Sequence, residues 1–514
     1  LRKLSTYLAA IGVSLAIALP VATAGASGQP TSVTQYKYWS LLSGAAQTAL
    51  LHRFAQNVPS IAWHGGANQP RSGLTNVEVN NPSADGNSPQ NTQSETSVAQ
   101  SGSDVVVGFN DSTGYNANTG TGCFTGYAYS SNSGASFTDG GCIPFPSGGA
   151  GLGDPSVVAD PNAPGTFYFG QLTMDANGAE YVGVSKSTDG GVTWSQPVAA
   201  SPKVTPGIFG VPFQDKDWIS AGINPSNHSQ TILYASWSHF TLTSVSIQVS
   251  TSTNGGSTWS SPITLQSSGV GVQGSNTVED PVSGKAYAFW EGFGSGNTRN
   301  ISYSISTNGG VSWSAAKVLG TFQDGTNATV NCGGVSENVI QFIPGDTVHV
   351  ARNNSFPAAA VDPSNGNVYV VANAKVNGHV NIGIASSNNG GSTWHIQLVA
   401  PNTQVQFQPW VSVDSQGVHV QYYQLTGSSS GTFGLNGVNG TRAVPPIFGS
   451  PFAVSSTTFG PAQTNPNADP VVAACYMGDY NQLASNGSII TYVWGDNRNY
   501  SVSGPDVWSA TTSG

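Results

Sequence analysis

A few acidic side chains recur at equivalent places in this sequence. Glu95 (ETSVAQ), Asp154 (DPSVVAD), Asp217 (DWISAGI), Asp280 (DPVSG) and Asp479 (DYNQLAS) each open a short apolar run, and Phe356 and Gln408 open two more. Asp215, Lys216 and Glu279 adjoin them. Carboxyl groups gathered in one pocket raise one another's pKa, so one stays protonated while another ionises. Glycoside hydrolysis requires that pairing, which makes Glu95, Asp154, Asp217, Glu279 and Asp280 candidate catalytic acids. The same oxygen-rich set could hold Ca²⁺. No other cofactor is implied, and no His cluster or C-x-x-C pair points to a metal site. The plainer alternative is that these side chains cap strand ends or face water.

A repeated unit must position them. Each opening residue begins a pair of strand-like runs; the second runs include Val105-Val106-Val107, Thr166-Phe167-Tyr168 and Ile232-Leu233-Tyr234. Seven such units can be followed along the chain. The last supplies only three strands, ending in Asp506-Val507-Trp508-Ser509-Ala510, and Asn76-Val77-Glu78-Val79 is expected to complete it and close a ring. Five units also carry one motif, S-x-[DN]-x-G-x-[ST]-[WF]: Ser130 to Phe137, Ser187 to Trp194, Ser252 to Trp259, Ser306 to Trp313 and Ser387 to Trp394. It reads as a hairpin turn in which the Asp or Asn accepts backbone bonds and glycine supplies a positive φ. The closing Trp or Phe packs between strand layers. Repeats at this spacing point to a propeller or solenoid.

The motif resembles the Asp-box, or bacterial neuraminidase repeat, and residues 75 to 514 resemble the sialidase superfamily of β-propellers. The resemblance implies an all-β propeller. Sialidases proper have six blades; the seven units here predict seven. Asp-boxes also occur in xyloglucan-cleaving propellers, sortilin-type receptors and a photosystem assembly factor, so the motif implies a fold more than an activity. In a four-stranded blade, the loops entering strand one and joining strands two and three share a face, whereas the Asp-boxes lie on the opposite one. Glu95, Asp154, Asp215, Lys216, Asp217, Glu279, Asp280, Arg352, Gln408 and Asp479 are thus expected on the opening face, along with all four cysteines. Family members hold the sialic acid carboxylate with three arginines, use a Tyr nucleophile assisted by Glu, and protonate the leaving group with Asp. Carried over, these roles fall on Arg299, Arg352 and Arg498, on Tyr476 or Tyr480, on Glu279 and on Asp154, with Asp479 beside them. The [FY]-R-I-P motif is missing; Ser94-Glu95-Thr96 stands in its place. Arg498 could equally pair with Asp496. The readings are a sialidase-like glycoside hydrolase, a hydrolase of neutral polysaccharide, or a non-catalytic propeller that binds glycan or extracellular protein.

Composition narrows the setting. Only 8% of the 514 residues are charged and the net charge is −10, which excludes nucleic-acid binding through clustered Lys and Arg. Twelve Trp, 18 Tyr and 20 Phe argue against disorder, and the 64 glycines lack a collagen period. So few ionisable groups predict tolerance of acid. Arg2 and Lys3, the apolar run Leu8 to Val21 and Ala22-Thr23-Ala24 read as a signal peptide over residues 1–24. A secreted or cell-surface monomer with no later membrane span is expected. Four cysteines in an exported chain suggest two disulfides. Cys123 with Cys142 closes a short loop, which leaves Cys332 with Cys475. Residues 25–74 form an extension whose aromatic stretch Tyr36 to Phe54 reads as a packed helix or a pro-segment, and the Gly-, Ser- and Pro-rich residues 425–470 read as an insertion.

Overall fold

The computed structural model describes residues 36–43, 46–47, 50, 68–85, 90–116, 118–207, 210–332, 335–347, 349–427, 431–460, 469, 471–473, 475–499 and 504–513. The signal-peptide reading, residues 1–24, lies outside them. The described chain is nearly all β, in antiparallel sheets.

The five repeated turns show how the sequence builds these sheets. In Ser187 to Trp194, the Gly191 N–H donates to Ser187 Oγ (3.0 Å) and the Thr193 N–H to Asp189 Oδ1 (2.9 Å). The same two bonds recur at Ser130/Asn132, Ser252/Asn254, Ser306/Asn308 and Ser387/Asn389. Each turn joins the third and fourth strands of a meander, for example Thr125–Ser130 to Thr138–Cys142. The closing aromatic reaches into the preceding sheet. Trp194 stands edge-on to Tyr127 (5.9 Å), Trp313 to Tyr234 (6.2 Å) and Trp394 to Tyr303 (5.5 Å).

Among the described residues, seven four-strand meanders follow one another. Their first strands are Gln93–Ser101, Ser156–Ala159, Phe213–Ile223, Val272–Asp280, Ala358–Val361, Gln406–Val413 and Leu483–Ser485. Each contacts the next, and Leu483–Ser485 contacts Gln93–Ser101, with Thr96 bridging to Asn481. The last meander takes its fourth strand from the start of the chain: Asn76–Glu78 pairs antiparallel with Asp506–Ser513, Asn76 opposite Ala510. Second strands such as Phe167–Met174 and Thr231–Phe240 are buried almost throughout because sheets cover both faces. Their polar residues, such as Gln171, Thr173, Ser236 and Ser238, are buried along with the apolar ones.

Within residues 425–470, read from sequence as an insertion, two strands of the repeat are found. Phe433–Gly440 and Phe452–Ala453 are the third and fourth strands of the sixth meander. Their glycines suggest loop, yet Phe433, Leu435 and Val438 are fully buried and carry the pairing. The departures from the repeat lie elsewhere. A three-stranded sheet, Ala328–Cys332, Val335–Gln341 and Val350–Arg352, stands between the fourth and fifth meanders. Disulfides join Cys123 to Cys142 and Cys332 to Cys475, as expected. At the N-terminal side, Tyr36–Ser43 runs over the third and fourth sheets, with a 3-10 turn at Trp39–Leu41. Among the described residues, no helix is long and apolar enough to cross a membrane.

Candidate functional site

The first strands open on an unusual backbone. Glu95, Asp154, Lys216 and Gln408 have φ of 53°, 56°, 48° and 47°, and glycines take the same region at Gly274 and Gly478. In the first, third, fourth and sixth meanders the opening carries a register shift, between Ser94 and Ser97, Asp215 and Trp218, Gln273 and Asn276, and Phe407 and Trp410. These are β-bulges, which bend a strand and re-aim its side chains. A left-handed conformation at a non-glycine residue costs about 1–3 kcal/mol, and such strain gathers where function needs it.

The bulges bring a line of buried carboxyl groups together. Asp479 N–H and Asn110 Nδ2 donate to the two oxygens of Glu95, both at 3.0 Å. Lys216 N–H donates to Asp154 Oδ2 at 2.9 Å. The same Lys216 N–H also lies 2.9 Å from Asp215 Oδ1, so Asp154 and Asp215 converge on one donor, and Asp154 lies close enough to Glu95 to raise its proton affinity. Tyr476 joins the Glu95 end. None of Glu95, Asp154 or Asp215 has exposed surface. Burial, reinforced by the neighbouring acids, therefore raises the proton affinity of all three. It raises Glu95 well above the carboxylate range, Asp154 to about 8 and Asp215 to about 6. The last is moderated by bonds from Ser43. Asp217 is also raised by burial, and its Oδ2 accepts from Ser156 Oγ (3.3 Å).

An aromatic floor lies beside this line. Trp218 and Trp410 stand 4.7 Å apart, and the Lys216 ammonium sits 3.6 Å from the centre of the Tyr480 ring. Tyr480 Oη donates to Pro155 O (2.8 Å). A cavity of about 20 Å³, space for a water, is lined by Lys216, Trp218, Gln408, Trp410, Asp479 and Tyr480.

The arginines sort into two places. Arg352 bonds Asp479 at 2.7 Å, and its N–H donates to Cys475 O, so the Cys332–Cys475 bridge fixes it beside the acids. Arg299 pairs with Glu291 (3.1 Å) and Asp324 (2.8 Å). Both guanidinium groups line one polar cavity of about 80 Å³, with Asp324, Glu337, Asn353 and Asn354. Arg498 does not line it. It is engaged by Asp496 (2.5 Å) and Asn76 (3.0 Å) and lies over the Trp508 ring.

Of the residues expected at the site, Glu95, Asp154, Arg352, Asp479 and Tyr480 meet there, and Asp217 adjoins them. Glu279 and Asp280 do not. They end the strand Val272–Asp280 that Gln273 and Gly274 open, roughly 20 Å along it. Asp280 accepts from Val282 N–H and Ser283 Oγ, so D-P-V-S-G is the hairpin turn after the strand, despite its likeness to D-P-S-V at Asp154. Glu279 faces Gly222 and the Ile223 backbone instead. Glu291, Asp324 and Glu337, which complete the charged surroundings, were not expected. The available signal was an acid ending the apolar run KAYAFWE. Among the described residues, no group of His, Cys, Asp and Glu has the arrangement of a metal site.

No protein-family model matches the chain, and no characterised protein matches it in sequence. Solved structures do. A protein of unknown function from Dyadobacter fermentans is 15% identical with a TM-score of 0.41, over 70% of this chain and 95% of that one. An α-L-arabinofuranosidase from Fusarium graminearum is 12% identical with a TM-score of 0.43, over 71% and 96%. A Trypanosoma rangeli sialidase is 12% identical with a TM-score of 0.39, over 67% and 54%. At these identities and TM-scores, none of the matches assigns an activity.

Proposed function

We propose that this chain is a secreted, seven-bladed β-propeller of the Asp-box type that hydrolyses glycans at the mouth formed by Glu95, Asp154 and Asp215. The ring is supported by the contacts that run from each first strand to the next and back, and by the closing strand Asn76–Glu78. Two disulfides favour an oxidising compartment.

The observation that carries the hydrolytic reading is the buried line of Glu95, Asp154 and Asp215, drawn together by the Lys216 N–H shared between the two aspartates, with acids of unlike proton affinity side by side. A carboxyl group that keeps its proton at neutral pH can protonate a leaving oxygen, while a more acidic neighbour stays ionised for the sugar carbon or water. Trp218, Trp410 and Tyr480 pack beside the acids and are themselves buried, so they wall the line on its apolar side. A neutral glycan suits the site better than a sialoside. Arg352 and Arg299 are already paired with Asp479 and with Glu291 and Asp324, and Arg498 is engaged elsewhere. A second reading, glycan binding without catalysis, is favoured by the complete burial of the acids.

Aryl glycosides of neutral sugars and of sialic acid, assayed from pH 3.5 to 7, test this. We expect turnover of a neutral glycoside, lowered by about 100-fold or more in Asp154→Asn and Glu95→Gln with the fold intact. Absence of turnover with retention on a glycan array would leave the binding reading; absence of both would remove glycans altogether.

A further inference from the structure

Residues 36–43 are held across the mouth in the way a ligand is held. Among the described residues, none between 36 and 50 joins a strand ladder. The segment is instead gripped by side chains from four different strands. Gln273 Nε2 donates to Leu41 O (3.1 Å), and Arg352 Nη1 to Leu42 O (2.7 Å). Ser43 N–H and Oγ donate to the two oxygens of Asp215, at 2.9 and 2.5 Å. Further along, Gln47 Nε2 donates to Glu337 Oε1 (3.2 Å).

The Leu42 carbonyl and the Ser43 N–H belong to one peptide unit, so a single amide lies between a guanidinium and a carboxylate. Charge-assisted bonds at both ends of an amide are strong and directional. Around them, Leu42 has no exposed surface, and Trp39 and Leu41 pack with Phe213, Phe240, Trp290 and Phe293. Tyr36 and Tyr38 tie the near end to Thr241 O (2.5 Å) and Thr243 O (2.6 Å). An apolar cup, an amide clamp and a hydroxyl acceptor are the parts of a peptide-recognition site.

We propose that Arg352, Asp215 and Gln273 form a binding site for an extended peptide carrying an aliphatic residue followed by serine, and that the chain fills this site with its own Leu41–Ser43 segment. The strap covers the Asp215 end of the carboxyl line, so its displacement opens the mouth, and a second peptide of the same kind takes its place. The site does not depend on the glycan reading, although the two share Asp215 and the mouth around it.

The test uses the full chain and a fluorescent peptide spanning residues 36–50, capped at both ends. Proline has no N–H to give Asp215, so Ser43→Pro should free the clamp without altering its walls. We expect the labelled peptide to bind Ser43→Pro at least about tenfold more tightly than wild type by anisotropy, and this gain to vanish in Ser43→Pro with Asp215→Asn. A folded Ser43→Pro chain that takes up no peptide, or a gain that survives Asp215→Asn, overturns the proposal. Hydrogen exchange on the wild-type chain decides the matter if Ser43→Pro does not fold. Amides of residues 36–43 should exchange at least about 100-fold faster than those of Thr231–Phe240. Equal protection would make the strap permanent core and overturn the proposal. Peptide binding without glycoside turnover sinks the hydrolytic reading alone, whereas turnover without peptide binding sinks the clamp alone.

Discussion

Glu95, Asp154, Lys216 and Gln408 share a strained backbone, and their side chains meet in the same buried place. At this scale the chemistry and the stability are linked through protons. Burial raises Asp154 and Glu291 to about 8, Glu279 and Asp85 to about 7 and Asp215 to about 6. The unfolded values lie near 4. A raised carboxyl keeps its proton in the folded chain after the unfolded chain has lost it, so its contribution is complete below about pH 4 and fades as the pH climbs toward 8. The melting temperature should therefore be higher at pH 5 than at pH 8. Asp175 opposes this only in stronger acid, because Lys203 holds it below the usual carboxylate range. Asp154→Asn removes one of the largest titrating groups while keeping an oxygen for the Lys216 N–H. It should flatten the difference between pH 5 and pH 8 by at least about 2 °C in a thermal melt. An unchanged difference would mean Asp154 does not hold its proton. The opening position made Glu95, Asp154 and Asp479 legible from sequence. Ser43 and Gln273 were illegible, since an isolated Ser or Gln has no signature until the chain places it against Asp215.

Among the elements, the hairpin turns were the clearest feature of the sequence, because they are local. Eight consecutive residues contain every partner of the two defining bonds, and only the closing aromatic depends on another sheet. Gly191 shows where the local and the distant meet. Its φ is +89°, and a Cβ there would lie 2.3 Å from Val106 Cγ2 in the preceding sheet. Val106 is wholly buried and cannot retreat. Gly191→Ala should cost about 3 kcal/mol in urea unfolding, from left-handed strain and overpacking together. A loss below about 1 kcal/mol would show that the sheets yield at this seam. Strand openings were harder to read, because D-P can start a strand, as at Asp154, or follow one, as at Asp280. Phe433–Gly440 was obscured for a related reason: its glycines mark close approach to Phe452 and Val454 as well as Arg71, where composition suggested a loop.

At the scale of the molecule, the sheets depend on one pairing that unites the two ends of the described chain. Val79 N–H donates to Val507 O (2.8 Å), and Val79 is buried with Val98, Val493 and Val507. Val79→Pro removes that donor and should destabilise the fold by about 3 kcal/mol. A chain that unfolds as wild type does in urea would show the closure to be dispensable. The low charge has its place here as well, since so many of the acids are proton-holding and internal. The closing pairing also governs the order of events in biosynthesis. Asn76–Glu78 emerges long before its partner Asp506–Ser513. Cys332 likewise waits for Cys475. The pairing cannot form until Asp506–Ser513 has been made. Contacts so distant in sequence also form slowly. A nascent chain of this kind presents an unfinished sheet edge for as long as Asp506–Ser513 is missing, and the Asn76–Glu78 strand must stay unpaired until that strand arrives.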